Sequence, residues 1–316
     1  MNKTAASAVQ DLSNPNLFRN GCCSVWQHGT NFDNPDGKFV MDGWREGSDG
    51  AVNIARVART NTQPFTAISF NPKGTKQYLS ISQRLEAQSV AHLLGKKATV
   101  SFDYFIPSDS EVDSVYVHIL TPNAFENFSS VTSRQLVYEQ SVTKGKWSRA
   151  VITLDINFSD ILSGAMVYLV FHCKTGNIST GKIHYMANLK LEGGDVATPF
   201  VPDHPQVNLD KCHRYYFKIN GEFVDTVGSI YNPITKIRYS HHIHYFLPSP
   251  MRVPLHQCSV DYLLKIAAIN VNVTHHYTFT HGHTVENYQR FGVRNGAGSY
   301  TDEGDLFLSM TVDAEL

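Results

Sequence analysis

Three groups of residues in this 316-residue chain have types and spacings that could do chemistry. The first is histidine, in His241-His242-Ile243-His244, His275-His276 and His281-Gly282-His283. Residues i and i+2 of a strand share a face, so His242 with His244, or His281 with His283, would present two imidazoles together. Imidazole suits transition metals, but such pairs are also common as surface or interface histidines bonded to their neighbours, and only geometry identifies a metal site. The second group is Trp26, Trp44 and Trp147. An aromatic face covers the apolar face of a pyranose while nearby polar groups orient its hydroxyls. Trp147, next to Lys146 at a turn-to-strand junction, is the open candidate, whereas Trp26 and Trp44 read as core. The third group is two polar, aromatic loops, Tyr231-Asn232-Pro233 and Arg294-Asn295-Gly296-Ala297-Gly298-Ser299-Tyr300. Loops on a rigid sandwich usually carry binding, which makes Tyr231, Asn232, Arg294, Asn295, Ser299 and Tyr300 ligand-contact candidates. The competing reading is ordinary hairpin turns, since Asn-Gly is itself a turn signal.

No constellation for catalysis accompanies them. GxSxG, HExxH and GxxxxGK[ST] are absent, and Asp302-Glu303-Gly304-Asp305 reads as a solvated turn before the last strand. The expectation is therefore a protein without enzymatic activity. A glycan depolymerase stays open as an alternative, because carboxylates far apart in sequence can converge in space.

The elements that must position these residues are strands. Apolar and polar residues alternate over 51–59, 77–85, 98–105, 115–120, 135–142, 148–154, 165–173 and 182–191, with turn signals such as Thr121-Pro122-Asn123 and Lys144-Gly145-Lys146 between them. Only 86–94 and 158–163 look briefly helical. Short strands at this spacing, without intervening long helices, predict an all-β jelly-roll β-sandwich. Two glycines and two prolines in 193–202 mark a boundary. Beyond it, 212–219, 222–230, 235–247, 257–264, 266–280 and 305–313 read as strands of a second, smaller β-sandwich domain. The expected organisation is a flexible arm over 1–14, a jelly roll over 15–203 and a β domain over 204–316.

Composition sets the outer limits. With 27 Lys and Arg against 28 Asp and Glu, the chain lacks the basic signature of a nucleic-acid binder. The 17% charged content is below the average for globular proteins of about 25%, and an oligomer interface would account for that. No run reaches the apolar length of a membrane span, and the N-terminus carries no secretory apolar core, which predicts synthesis and retention in a cytoplasm. The 5 cysteines, odd in number and without metal spacing, read as reduced thiols.

Several short words then occur in a telling order. Asn16-Leu17-Phe18-Arg19-Asn20-Gly21 and Val25-Trp26-Gln27-His28-Gly29-Thr30-Asn31-Phe32 are followed by Asp42-Gly43-Trp44-Arg45 and Ser82-Gln83-Arg84-Leu85-Glu86. Leu189-Lys190-Leu191-Glu192-Gly193-Gly194, Ala197-Thr198-Pro199-Phe200, Cys212-His213-Arg214-Tyr215-Tyr216 and the terminal Thr311-Val312-Asp313-Ala314-Glu315-Leu316 complete the set. Together they resemble a bacteriophage tail-fibre and adhesin family, in which a carbohydrate-binding-module-like jelly roll precedes a C-terminal tip that often trimerises. Residues 220–300 carry no such likeness.

The resemblance implies a virion structural protein, made in the host cytoplasm. It would be a homotrimer that meets other virion proteins through its arm and a host surface polysaccharide or lipopolysaccharide through its tip, with neither nucleic acid nor membrane insertion involved. A purely architectural collar or capsid decoration is the alternative. Three-fold symmetry would gather six nitrogens from one HxH pair, His242 with His244 or His281 with His283, an octahedral set suited to iron, and some phage fibres resemble this arrangement. Related sandwiches hold calcium with carboxylates at positions that are Cys22-Cys23 and Ala187-Asn188 here, which argues against calcium.

Overall fold

Alternating residues become strands almost wherever the sequence carries them. The computed structural model describes residues 14–60, 63–223, 242–246, 259–266, 288–292 and 306–313. The chain divides into two compact units, Met1–Cys212 and His213–Glu315. The first contains β1 (Asn31–Asp33), β2 (Phe39–Met41), β3 (Trp44–Glu46), β4 (Val52–Val57), β5 (Ala67–Pro72) and β6 (Tyr78–Leu85). After them come β7 (Lys97–Phe105), β8 (Ser114–Ala124), β9 (Asn127–Ser141), β10 (Trp147–Asp155), β11 (Ala165–His172) and β12 (His184–Gly193). They form two 6-stranded sheets ordered β1-β4-β5-β12-β7-β10 and β2-β3-β6-β11-β8-β9, called sheets A and B below. Every strand pairing is antiparallel. From β5 onward the chain passes repeatedly between the sheets, the winding of a jelly roll, as the alternating pattern predicts.

One apolar cluster fills the space between the sheets. Ile54, Ile68, Phe70, Val100, Phe102, Ile152 and Leu154 come from sheet A, and Leu79, Ile81, Val115, Val117, Leu169 and Phe171 from sheet B. Phe171 meets Phe70 and Tyr104 edge-on across the gap, with centroids 5.9 and 6.4 Å apart. Trp44 and Trp26 belong to this core. Their indole N–H groups donate to the carbonyls of Arg19 and Cys23, so neither leaves a buried donor unpaired.

Several local readings need correction. Thr121-Pro122-Asn123 is not a loop but the end of β8, where Pro122 stands beside a register shift that spares the ladder its missing N–H. Strand β5 lies in a stretch the pattern left unassigned. Residues 205–213 are a helix, Pro205–His213, and the strand expected from 212 begins at Tyr216 instead. The units therefore divide later than the Gly/Pro-rich break, because Asn208 ties that helix to the N-terminal turn. Asn208 accepts from the Asn20 amide (3.1 Å) and donates to Ser24 Oγ (3.0 Å).

In the second unit, β13 (Tyr216–Phe223), β17 (Leu306–Asp313) and β15 (Ser259–Ile266) form a 3-stranded antiparallel sheet, in that order. Strands β14 (His242–Phe246) and β16 (Tyr288–Gly292) form a 2-stranded one. Residues 1–13 of the expected arm lie outside the described residues.

Candidate functional site

The outward face of sheet B is the best-built surface among the described residues. Along β6, Leu79, Ile81 and Leu85 enter the core, so Tyr78, Ser80, Ser82 and Arg84 point the other way. The same alternation on β8 turns Tyr116 and His118 outward, and on β11 Met166, Tyr168, Val170 and His172. These strands are neighbours, so the outward residues fall into rows. Arg45, Ser82, Tyr168 and His118 form one, Ser80, Val170 and Tyr116 the next, and Tyr78, His172 and Ser114 a third.

Its relief is that of a trough. Ser80, Ser82, Ser114, Val170 and Met166 are buried although they point away from the core, while Tyr78, Tyr116, Tyr168, His118 and His172 are half-buried. The larger side chains stand as walls over a floor of small or apolar ones. Tyr116 packs edge-on against His172 (5.3 Å) and His118 lies beside Tyr168 (6.2 Å), which fixes the rings before any ligand arrives. A Cβ on Gly47 would come within 2.6 Å of the Tyr168 ring, so glycine lets the flanking segment close against that wall. The hydroxyls of Ser80, Ser82 and Ser114 are buried without a hydrogen-bond partner.

Burial pushes the His118 imidazole below its usual range, and it does the same to His172, where Asp113 acts upward and Lys174 downward. Both rings are uncharged at pH 7, each with one donor and one acceptor nitrogen. His118 Nε2 already bonds Ser133 Oγ at 2.7 Å. Burial, then the charges of Asp49, Tyr168 and Glu46, push the Tyr78 phenol up, so it keeps its proton. The two carboxylates beside it hold backbone: Glu46 accepts from Gly37 N (2.9 Å) and from Ser48 N, and Asp49 from Gln77 N (3.1 Å). The surface is thus uncharged at its centre, aromatic, and fringed by hydroxyl and imidazole groups.

Trp147 lies on the opposite face of the sandwich. It is half-buried at the start of β10, where Phe105 and Tyr185 join it in one row across sheet A and Phe65 meets it edge-on at 4.9 Å. Of the other candidates, Tyr231, Asn232, Arg294, Asn295, Ser299, Tyr300, His281 and His283 lie outside the described residues. His242 and His244 are two residues apart on β14, paired with Gly292 and Arg290. Among the described residues no three metal-ligating side chains gather. At the positions considered for calcium, Cys23 is a buried thiol whose pKa burial pushes well up, and the Asn188 amide donates to Asp103 at 2.6 Å.

The tyrosines and histidines of the trough were missed although their signal was present. They occupy the polar half of the alternation in three strands that the sequence delineates. Polar positions on a solvated face ordinarily carry Lys, Glu or Thr, and repeated Tyr and His there would have marked the face.

One end of the sandwich carries a pH-sensitive group. His184, at the first position of β12, is fully buried, lies tilted against Phe171 (5.5 Å between centroids) and shares a hydrogen bond with Ser110 Oγ (2.7 Å). Burial holds its pKa down to about 4, against smaller opposing effects of the Lys182 backbone and Glu111 and in concert with the Lys182 and Lys144 charges. In the unfolded chain the ring takes its proton near pH 6.5, so stability is full above that value and falls as pH drops towards 4, by about 3 kcal/mol. Glu111 acts lower. Burial raises it, but Lys182 and Ser179 hold it at about 2, so its contribution is present above pH 4.5 and lost between 4.5 and 2. His118 and His172, also held down by burial, add to the loss below pH 6.5. Urea titrations over that range should show falling stability in the parent and a clearly shallower fall in His184→Gln; equal slopes would refute the assignment.

No family model and no characterised protein matches the sequence. Solved structures similar to this chain include the tandem CBM22-1–CBM22-2 of Paenibacillus barcinonensis Xyn10C, at 10% identity and a TM-score of 0.38 over 96% of this chain and 92% of that one. The CBM22-1 xylan-binding domain of the same protein matches at 10% identity and a TM-score of 0.37, covering 58% of this chain and 98% of its own. The enzymatically active domain of bacteriophage CBA120 tailspike protein 4 matches at 7% identity and a TM-score of 0.35, over 56% of this chain and 21% of that one. The order of strands in the two antiparallel sheets is that of a jelly-roll sandwich.

Proposed function

We propose that the first unit is a non-catalytic glycan-binding module whose site is the trough on sheet B. The observation that carries this reading is the set of three tyrosines and two neutral histidines held in register on β6, β11 and β8 over a buried floor. A sugar ring has an apolar C–H face and a rim of hydroxyls. Tyrosine offers a stacking face and a phenol, and a neutral imidazole accepts and donates within one ring. Rigid central strands fix these groups in advance, which lowers the entropy cost of binding.

Tyr168 is the central wall residue. Replacing it by alanine should weaken retention in native gels cast with a soluble polysaccharide by at least about tenfold, roughly 1.4 kcal/mol. Unchanged retention in Tyr168→Ala and in Tyr116→Ala would refute the site, and Trp fluorescence against urea checks that both variants fold.

The ordered motifs support a finer reading, in which this module belongs to a phage tail fibre or adhesin that assembles as a homotrimer and contacts a host surface glycan. Single sugar sites are weak, and three linked copies gain avidity by raising the effective concentration after the first contact. Light scattering on the full chain should return a three-chain mass, and a single-chain mass would refute the trimer.

A further inference from the structure

We infer that the outward face of sheet A, centred on Trp147, is a second glycan site, so that one jelly roll holds polysaccharide on both sides; this rests on the reading of the module as a glycan binder. The face begins with a shelf of rings. Trp147, Phe105 and Tyr185 stand in register on β10, β7 and β12, and Phe65 closes the group from the approach to β5. Their centroids lie 4.9 Å (Phe65 to Trp147), 5.8 Å (Phe105 to Tyr185), 6.0 Å (Phe105 to Trp147) and 6.1 Å (Trp147 to Tyr185) apart. All four are half-buried. Four touching rings on the outer side of a sheet form an apolar surface that water covers at a cost, the usual mark of a binding surface.

The next row identifies the occupant. Asp103 accepts from Arg149 Nη1 at 2.7 Å through one carboxylate oxygen and from Asn188 Nδ2 at 2.6 Å through the other, and Arg149 Nη2 donates to Ser101 Oγ at 2.9 Å. Asn188 does this from a left-handed backbone conformation (φ 51°) within the register shift between Ala187 and Lys190. A bulge re-aims a side chain, and here it turns the amide onto Asp103. The carboxylate has about four acceptor sites and the guanidinium five N–H groups, so both retain capacity beyond these bonds. An apolar protein partner would meet only the shelf. A pyranose presents a C–H face to the rings and an adjacent hydroxyl rim to the carboxylate, guanidinium and amide. Arg149 offsets the charge of Asp103, which fits a neutral polysaccharide.

The site carries its own reporter. The chain has 3 tryptophans, and Trp26 and Trp44 are 8% and 0% exposed, so a ligand on the outside of sheet A reaches only Trp147. The full chain would be titrated with soluble xylan, dextran and galactomannan while indole emission is followed, in the parent, Tyr168→Ala and Trp147→Phe. The expected result is a saturable change with at least one polysaccharide that persists in Tyr168→Ala and disappears in Trp147→Phe. In gels cast with that polysaccharide, Trp147→Ala and Tyr168→Ala should each retard the chain less than the parent, and their combination not at all. Asp103→Asn, which keeps every ring, should weaken the Trp147 response at least tenfold.

Tyr168-dependent retention with no Trp147 response at saturation would overturn the second site and leave the first. A change of mass in Trp147→Ala, with retention unchanged, would also overturn it by assigning the shelf to a second copy of this chain. Absence of any retention in the parent would overturn both sites.

Discussion

Replacing Glu192 by glutamine should lower the stability of the first unit by about 3–5 kcal/mol, because it breaks a buried ion pair from one side. Lys190 and Glu192 are 1% and 0% exposed at the end of β12, with Nζ 3.2 Å from Oε2. They point away from the core and are buried by the segment after β12. Thr198 donates its N–H to Glu192 Oε1 at 2.8 Å and its hydroxyl to Oε2 at 2.5 Å, while Lys190 Nζ donates to Pro199 O at 3.2 Å. Thr99 Oγ1 holds the same segment through Gly194 O at 2.8 Å. The ion pair therefore straps the chain leaving the jelly roll onto sheet A. Glutamine keeps the shape but removes the carboxylate charge that lies 3.2 Å from the buried ammonium. Removing both charges, in Lys190→Met with Glu192→Leu, should recover much of the loss, since two desolvation costs disappear together. All three tryptophans lie in the first unit, so indole emission against urea follows this unit alone. A single variant within 1 kcal/mol of the parent would show the pair to be solvated.

The strap shows how much the sequence disclosed. Lys190, Glu192 and Thr198 all fall in motifs that resemble the tail-fibre family, and so do Phe18, Arg19, Asn20, Trp44 and Gln83. The structure gathers the latter into one network: Phe18 packs on Trp44 at 4.9 Å, Gln83 and Arg19 exchange bonds at 2.9 and 3.0 Å, and Asn20 Nδ2 reaches the Val25 and Asp42 carbonyls. The motifs thus mark the parts that hold the jelly roll together. The candidate sites lie mostly elsewhere, on outward strand positions. Their residue types were visible, but their proximity was not, because Tyr78, Tyr116 and Tyr168 meet only through the order β6-β11-β8, and Phe105, Trp147 and Tyr185 only through β10-β7-β12. Sheet order is set by crossovers between distant segments, which periodicity along one strand does not encode. Local failures have local causes. Strands β1, β2 and β3 have 3 residues each, too few to show a period. Helix Pro205–His213 buries mainly Asn208 and Cys212, one turn apart, so it has no apolar stripe to announce it.

The same network makes Gly21 the least replaceable glycine of the N-terminal segment. A Cβ built there would lie well inside contact distance of the Leu189 carbonyl oxygen and 2.6 Å from Asn16 Nδ2. Neither atom is free to retreat. Leu189 N donates to Gly21 O at 2.8 Å, Asn16 Nδ2 donates to Leu189 O at 2.8 Å, and Asn16 Oδ1 accepts from Leu191 N at 3.0 Å, all at the register shift in β12. In Gly21→Ala the segment 14–23 must swing away from β12. That breaks these bonds and the Leu17 N to Leu191 O bond of 2.8 Å, and it loosens Phe18, which is 1% exposed in the core. The loss should match that of a large core side chain, about 3–5 kcal/mol, read as a lower urea midpoint of indole emission. Gly176→Ala is the control. Its Cβ would meet only Cys173 Sγ, at 3.6 Å, so the midpoint should barely move. If Gly21→Ala were as mild as Gly176→Ala, the N-terminal segment would not be clasped to the last strand, and the motif that opens the chain would need another explanation.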